Sequence, residues 1–440
     1  MDLLKILSLL NRKFSSSKKW LLLLTILCGG CNRHQAQTQI EDLPNGIRLV
    51  SVNFPGSTNV SIFTFTGMGL ATDAPGQAQW AHLVEHLVVR STVPGDLAHA
   101  NAETLIDHMR LDTYGSLADW RSWLSHHRRW IEGVPFSQTS LETEKPRVIS
   151  ECDVTARNLM TSKFAFGAWA QAHRHGLNHV ALKGDVLAAK LNDVQALRNA
   201  HFAVPGEVTV CVVGGVPTPT ALAGLKEDLE SLRLTATPVS KVKPKNGDVE
   251  LTWDLDGRAL LMTWPIPDFD DPDYAALMVA GQLLNMKMAA TQPAKRTSGA
   301  VLAGADLITP EGKFFYVSTA LNQAASFDEL RERFQAAVDE LAAGNDLNQA
   351  KAIGQQIAFT LTRVSPPPSF VPLPAGITRA IVEGNLGLRF GMNVHRFGAS
   401  REKLASNLSA VSPGDVQRVA KKYLSRSSCA VCQIEPRNSP

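Results

Sequence analysis

His82, Glu85 and His86 lie within Trp80-Ala-His-Leu-Val-Glu-His-Leu-Val-Val89, and their spacing is that of a metal-dependent hydrolytic site. On a helix, positions i, i+3 and i+4 share a face, so two imidazoles and one carboxylate aim at the same place. Two neutral imidazoles can ligate one Zn²⁺. A carboxylate held just outside the coordination shell can take a proton from the water that the metal activates. A polar helix carrying two histidines by chance is the competing explanation of the bare motif. The apolar flanks Leu83, Leu87 and Val88 count against it, because they predict a buried helix. Charged groups are costly to bury without a partner such as a metal.

A mononuclear zinc site needs a third protein ligand and leaves one position for water. Glu151, in Glu144-Lys-Pro-Arg-Val-Ile-Ser-Glu151-Cys, is the best candidate. Glu144 and Glu151 are seven residues apart, two helical turns, and share a face if one helix carries both. Pro146 predicts that this helix begins near Glu144, since proline is tolerated in a first turn and not in the interior. One carboxylate then binds metal while the other orients a ligand. Taken alone, the segment reads better as a solvated glutamate pair on an amphipathic helix; beside His82 and His86 the ligand reading of Glu151 is the stronger one.

The rest of the chain must supply the elements that hold these helices. Its 440 residues, 44% of them hydrophobic, suffice for two cores of ordinary size. A net charge of +3 and no basic stripe with interleaved aromatics give nucleic-acid binding no support. Thr237-Pro-Val-Ser-Lys-Val-Lys-Pro-Lys-Asn-Gly-Asp248 reads as an exposed linker. Residues 233–248 thus separate an N-terminal unit, 40–232, from a C-terminal one, 249–437. The two look like copies. Asp193-Val-Gln195 opens a predicted helix leading to a Val-rich strand, and Asp415-Val-Gln417 does the same before Cys429-Ala-Val-Cys-Gln-Ile434, an offset of 222 residues. Ser412-Pro413 supplies an N-cap and a first-turn proline for the later copy. Alternating Asn59-Val-Ser-Ile-Phe-Thr-Phe65 fits a half-buried strand.

With these residues in view, the chain after about residue 40 resembles the pitrilysin/insulinase family of inverzincin zinc metallopeptidases, which includes the mitochondrial processing peptidase and short bacterial members. Gly67-Met-Gly-Leu-Ala-Thr-Asp-Ala-Pro75-Gly-Gln-Ala-Gln-Trp-Ala-His82 is similar to the family's strand end, turn and helix start. The Glu144/Glu151 pair matches its paired glutamates, of which the second is the metal ligand. Leu191 to Phe202 with Glu207 to Gly215, and Trp264 to Asp273, resemble later segments of its two domains. The resemblance implies an α+β fold of two tandem homologous domains, each an antiparallel sheet with helices packed on one face. It implies one Zn²⁺ per chain held by His82, His86 and Glu151, with Glu85 as general base and Glu144 behind the ligands. Asn101-Ala-Glu-Thr104 is similar to the family's substrate-holding strand; Asp112-Thr-Tyr-Gly-Ser116 could equally occupy that place.

Two departures stand out. The gap from His86 to Glu151 is shorter than is usual in the family, so the intervening helix and strand are trimmed. The family's second domain carries an Arg and, seven residues later, a Tyr that contact substrate. The residues seven before Tyr114, Tyr274, Tyr316 and Tyr423 are Asp107, Pro267, Thr309 and Val416, so no Arg-x6-Tyr exists. The matching stretch is Gln292 to Val301, where neither member is present.

The implied activity is that of a zinc metalloendopeptidase cleaving peptides or small unfolded proteins inside a closed chamber. The missing pair makes this chain the catalytic half of a heterodimer whose partner carries Arg-x6-Tyr, with a homodimer as the alternative assembly. The rival function is a non-catalytic structural or assembly subunit.

Residues 1–31 read as a targeting segment. Lys5, Arg12, Lys13, Lys18 and Lys19 precede the mainly apolar run Trp20–Leu27, too short to span a bilayer and followed by Cys28-Gly-Gly-Cys31. This resembles a bacterial lipoprotein signal with Cys31 lipidated, so the only membrane contact expected is a lipid anchor in the outer membrane facing the periplasm. Cleavage to a soluble periplasmic or secreted protein, and a mitochondrial presequence, are the alternatives. Cys429 and Cys432 read as buried small hydrophobes and not as a metal pair. His126 and His127 read as lying on a solvated or cavity-facing helix.

Overall fold

The computed structural model describes residues 36–92, 99–158, 162–234, 247–290, 298–365, 373 and 378–437. The targeting segment, linker residues 235–246, residues 291–297 and most of the Pro-rich loop after Ser365 lie outside the described residues.

Two six-stranded sheets with helices make an α+β fold. The first sheet contains β1 (Gln37–Asp42), β2 (Ile47–Asn53), β3 (Asn59–Thr66), β4 (Ala100–Thr104), β5 (Met109–Ser116) and β7 (Val208–Gly214) in the order β1-β2-β7-β3-β5-β4. Its helices are α1 (Trp80–Thr92), α2 (Trp120–Glu132), α3 (Gln138–Arg157), α4 (Ser162–His175), α5 (Leu182–Ala188), α6 (Leu191–His201) and α7 (Thr218–Leu229). The second sheet contains β6 (His179–Val180), β8 (Val249–Trp253), β9 (Arg258–Ile266), β10 (Leu302–Thr309), β11 (Gly312–Leu321) and β12 (Ala430–Pro436). With it go α8 (Pro272–Ala290), α9 (Phe327–Ala343), α10 (Ala350–Thr362), α11 (Arg379–Phe397), α12 (Arg401–Ala410) and α13 (Pro413–Tyr423).

Written from β6, the second sheet runs β6-β8-β12-β9-β11-β10, the same order as β1-β2-β7-β3-β5-β4. The duplication read from Asp193-Val-Gln195 and Asp415-Val-Gln417 is therefore one of topology: α6 leads to β7 as α13 leads to β12. Ser412 caps α13 in a full capping box with Asp415, and Pro413 stands in its first turn. Most strand pairs are antiparallel; β2 with β7, β8 with β12 and β6 with β8 are parallel.

The halves exchange elements. β6, from residues 179–180, forms the outer strand of the second sheet, and α11 lies on the first sheet. Val60 and Ile62 of β3 join the main core, whereas Phe63 and Phe65 on its other face pack with Phe390 and Val394 of α11. β3 is accordingly buried on both sides, not half-buried as its alternation predicts. Glycines permit the approach: a Cβ on Gly387 would stand 2.3 Å from the Val213 side chain, and one on Gly391 3.0 Å from Phe65.

Helix α3 begins at Gln138, capped by Ser137, and runs through Pro146, which corrects the expectation of a start near Glu144. Proline deprives the Glu142 carbonyl of its donor. Glu142 and Pro146 both lie on the exposed face, where that carbonyl can be solvated and the bend is absorbed. His127 is also corrected: it is fully buried on α2, its ring held by Thr64 Oγ1 at 2.8 Å and Thr113 Oγ1 at 2.9 Å. His126 is half-buried.

Candidate metal centre

Helix α1 starts where several polar groups pin it. Asp185 Oδ2 accepts the Ala78 N–H at 2.9 Å, the Asp185 carbonyl accepts the Trp80 indole N–H at 2.9 Å, and Asp73 Oδ1 accepts the Ala81 N–H at 2.9 Å. Leu83, Leu87 and Val88 then bury α1 against the core, as their apolar character predicts. The buried turn leaves His82, Glu85 and His86 on the side facing α3 and β4.

His82 Nε2 lies 3.4 Å from Glu151 Oε2, and His86 Nε2 lies 3.6 Å from Glu151 Oε1. The three ligand atoms fall within 4.8 Å of one another, and among the described residues this is the group of His, Cys, Asp and Glu side chains able to share an ion. Two atoms each about 2.0–2.2 Å from zinc at a tetrahedral angle are roughly 3.3–3.6 Å apart. The His82 separation, to Oε2, and the His86 separation, to Oε1, are each close to such an edge, and the donor set of two imidazoles and one carboxylate suits zinc. The two rings stand edge to face, centroids 5.0 Å apart. His82 and Glu144 are buried, His86 is slightly exposed, and the Glu151 side chain is 56% exposed, so the ligand set opens on the Glu151 side.

Each imidazole is anchored through its other nitrogen, as metal-binding histidines commonly are. His86 Nδ1 meets Glu144 Oε2 at 3.0 Å, and His82 Nδ1 meets the side-chain carbonyl of Gln79 at 3.1 Å. Glu144 also accepts from Arg147 Nη1 at 2.6 Å and pairs with Arg90 Nε at 3.3 Å, so its buried charge is matched on several sides. Burial pushes the His82 pKa down, favouring the neutral ring that a metal needs. Burial pushes His86 the same way, but its bonds to Glu144 and Glu151 outweigh it and raise the group to about 9. The two histidines hold Glu151 well below the usual carboxylate range.

Glu85 is not among the converging atoms. It is buried on the same helix, and its Oε2 accepts the Thr104 hydroxyl at 2.6 Å. Thr104 ends β4, an outer strand of the first sheet, while Asp112 to Ser116 lie in β5 between β3 and β4. The sheet edge beside Glu85 thus belongs to Asn101-Ala-Glu-Thr104, the first of the two alternatives. Gln79 escaped the sequence reading, although it stands three residues before His82, on the same side of the helix start. Arg90 and Arg147 carry no signal of their own, since their role depends on the approach of two helices.

Residues 189–353 match the family described as the Peptidase M16 inactive domain. The chain superposes on a protease from Helicobacter pylori with a TM-score of 0.68 and 17% identity, over 92% of this chain and 100% of the other. A peptidase M16 inactive domain from Pseudomonas fluorescens aligns with a TM-score of 0.62 and 14% identity, over 92% and 98%. The ferredoxin protease FusC, in complex with Arabidopsis ferredoxin, aligns with a TM-score of 0.57 and 13% identity, over 92% of this chain and 48% of its own. No curated protein sequence matches. The fold is that of M16 peptidases, and the family match supports the M16, or pitrilysin, superfamily. The matched segment begins after Glu151, so the word inactive describes a region that excludes His82, Glu85, His86 and Glu151.

Proposed function

We propose that this chain is a zinc-dependent endopeptidase acting on extended peptides or small unfolded proteins. The observation that carries the reading is the convergence of ligand atoms from His82, His86 and Glu151 within 4.8 Å of one another, with each imidazole Nε2 3.4–3.6 Å from an oxygen of Glu151. His82, His86 and Glu151 hold the ion. When bound, Zn²⁺ supplies Lewis acidity, which polarises a peptide carbonyl and acidifies water. Glu85 takes the proton from the attacking water and returns it to the leaving amine. Thr104 holds one oxygen of Glu85 and leaves the other for that transfer. The open edge of β4 offers backbone N–H and C=O groups to an extended substrate strand, which aligns the scissile bond beside Glu85.

A chain matching 48% of FusC supplies one half of an enclosing chamber in this reading, and a related chain carrying Arg-x6-Tyr supplies the other. We propose in addition that Cys31 is the lipidated first residue of an outer-membrane protein facing the periplasm. Among the described residues no helix is long and apolar enough to cross a membrane. The second reading, a non-catalytic assembly subunit, draws on the inactive-domain match and the absent Arg/Tyr pair. Zinc content of the purified protein separates the two. One zinc per chain, lost with peptide hydrolysis on chelation and restored with it, is the expected result; metal-free, inactive protein from zinc-replete cells would favour the assembly role.

A further inference from the structure

Gln79 occupies a position that local physics disfavours. Its backbone φ is +65°, and Asp346 is the one other non-glycine residue with positive φ among the described residues. An L side chain pays strain in that region, and such strain persists where the surroundings over-determine it. Gln79 is also the residue whose carbonyl starts the α1 ladder, accepting the Leu83 N–H at 2.9 Å. That N-cap position favours Ser, Thr, Asp, Asn or Gly, and glutamine has no capping advantage there. The buried Asp73 carboxyl, bonded to the N–H groups of Gln79 and Ala81, locks this backbone in place. What glutamine does supply is reach: from a site only 2% exposed, its Oε1 lies 3.1 Å from His82 Nδ1.

A second contact of that amide agrees with the same sense. Cys152 Sγ lies 4.0 Å from the same Oε1, and a thiol beside an amide acts as a weak donor toward the carbonyl oxygen. With the oxygen facing both partners, His82 donates from Nδ1. Its Nε2 is then left with the lone pair that an ion lying between it and Glu151 would take up. The reverse tautomer would place a hydrogen on the nitrogen that has to ligate.

We propose that Gln79 is a positioning residue for the metal centre, its side-chain carbonyl holding His82 in the tautomer and orientation that present Nε2 to the ion. This rests on the zinc reading above. It is asymmetric with the other ligand: His86 is set by a charged carboxylate, His82 by a neutral amide.

The test compares Gln79→Met, Gln79→Glu and Gln79→Gly by zinc affinity in chelator competition, with the His82 tautomer read from ¹⁵N shifts of the zinc-loaded protein, because without the ion the Glu151 carboxylate itself draws a hydrogen to Nε2. His82→Ala assigns the resonance. Met and Glu suffer the same backbone strain, but only Glu keeps an acceptor. Met should weaken zinc about 10–100-fold, the range for losing such a support, while Glu should match or exceed wild type. Gly relieves the strain yet lacks the acceptor, so it should bind zinc as poorly as Met. The wild-type His82 should show hydrogen on Nδ1, and Met should give a mixture. Wild-type zinc affinity in the Met or Gly variant, or hydrogen on His82 Nε2 in wild type, would overturn the proposal. If wild type bound no zinc, the metal reading would fail; if wild type bound zinc and the Met and Gly variants bound it equally well, only the role of Gln79 would fail.

Discussion

Thr104 donates its hydroxyl hydrogen to Glu85 Oε2 across 2.6 Å, tying the outer strand of the first sheet to the helix that carries both imidazoles. In the proposed reading, substrate edge and general base are thereby one mechanical unit. Glu85→Gln should keep zinc and lower kcat by about 10²–10⁴-fold, the usual weight of a positioned acid–base group. Thr104→Val should also keep zinc and lower kcat by roughly tenfold, equivalent to about 1.4 kcal/mol of lost alignment. Metal analysis and turnover of an unstructured peptide check both. Full activity in Glu85→Gln would remove Glu85 from the chemistry.

Glu144 and Glu151 share α3 but face different partners: Glu144 reaches His86 Nδ1 from behind, while Glu151 lies between the two Nε2 atoms. Glu151→Gln should therefore weaken zinc more than Glu144→Gln, for which a loss of about 10–100-fold is expected. Chelator competition ranks them, and the opposite order would exchange their roles.

Much of this site was legible because it is local. The i, i+3, i+4 spacing of His82, Glu85 and His86 and the seven-residue interval of Glu144 and Glu151 are helix periodicities, which hold wherever a helix forms. The repeated Asp-Val-Gln segments show the duplication for the same reason. Pro146 misled because its local preference ignores that Ser137 had already nucleated the helix and that the orphaned carbonyl faces solvent. His127 misled because the two threonines that satisfy its ring come from β3 and β5, remote in sequence. The crossing of α11 onto the first sheet has no local signature at all. Gly387 and Gly391 mark it only once Val213 and Phe65 are seen beneath them.

Arg396, at the end of α11, grips Asp107 with Nε at 2.7 Å and Nη2 at 2.8 Å, and reaches Asp306 at 3.3 Å. It therefore joins the turn after β4 to β10 of the other half. Burial alone would raise the Asp107 pKa, but Arg396 and His108 overcome it and hold the group well below the usual range. A depressed carboxylate stabilises the fold above its unfolded pKa of about 3.9 and loses that contribution as pH falls toward the folded value. Arg396→Met should cost about 3–5 kcal/mol at pH 7, because it strips a buried charge of its main partner and leaves it only His108. As pH falls toward 4, Asp107 in that variant can protonate and the gap to wild type should narrow. Denaturant unfolding at pH 7, 5 and 4 measures it; a gap that widens would contradict the assignment.

Location has its own test. Mature protein from the native host should begin at Cys31 with a diacylglycerol mass and partition with membranes, and Cys31→Ser should release or mis-process it. An intact N-terminus upstream of Cys31 would refute the anchor.

Assembly follows from what the second half lacks. A homodimer would enclose a cavity without Arg-x6-Tyr on either side, since no tyrosine of this chain has an arginine seven residues before it. A heterodimer of the proposed kind would divide the work: this chain would polarise the carbonyl and move the proton, and the partner would orient substrate and stabilise the developing oxyanion. Losing one such donor typically costs about 10²–10³ in kcat, so adding the partner should raise peptide turnover by roughly that factor without changing zinc content. The measurement is kcat of the chain alone and after titration with a related subunit bearing the motif. Full turnover by the chain alone, unchanged on addition of that subunit, would show that the missing contacts are dispensable and leave the homodimer as the working form.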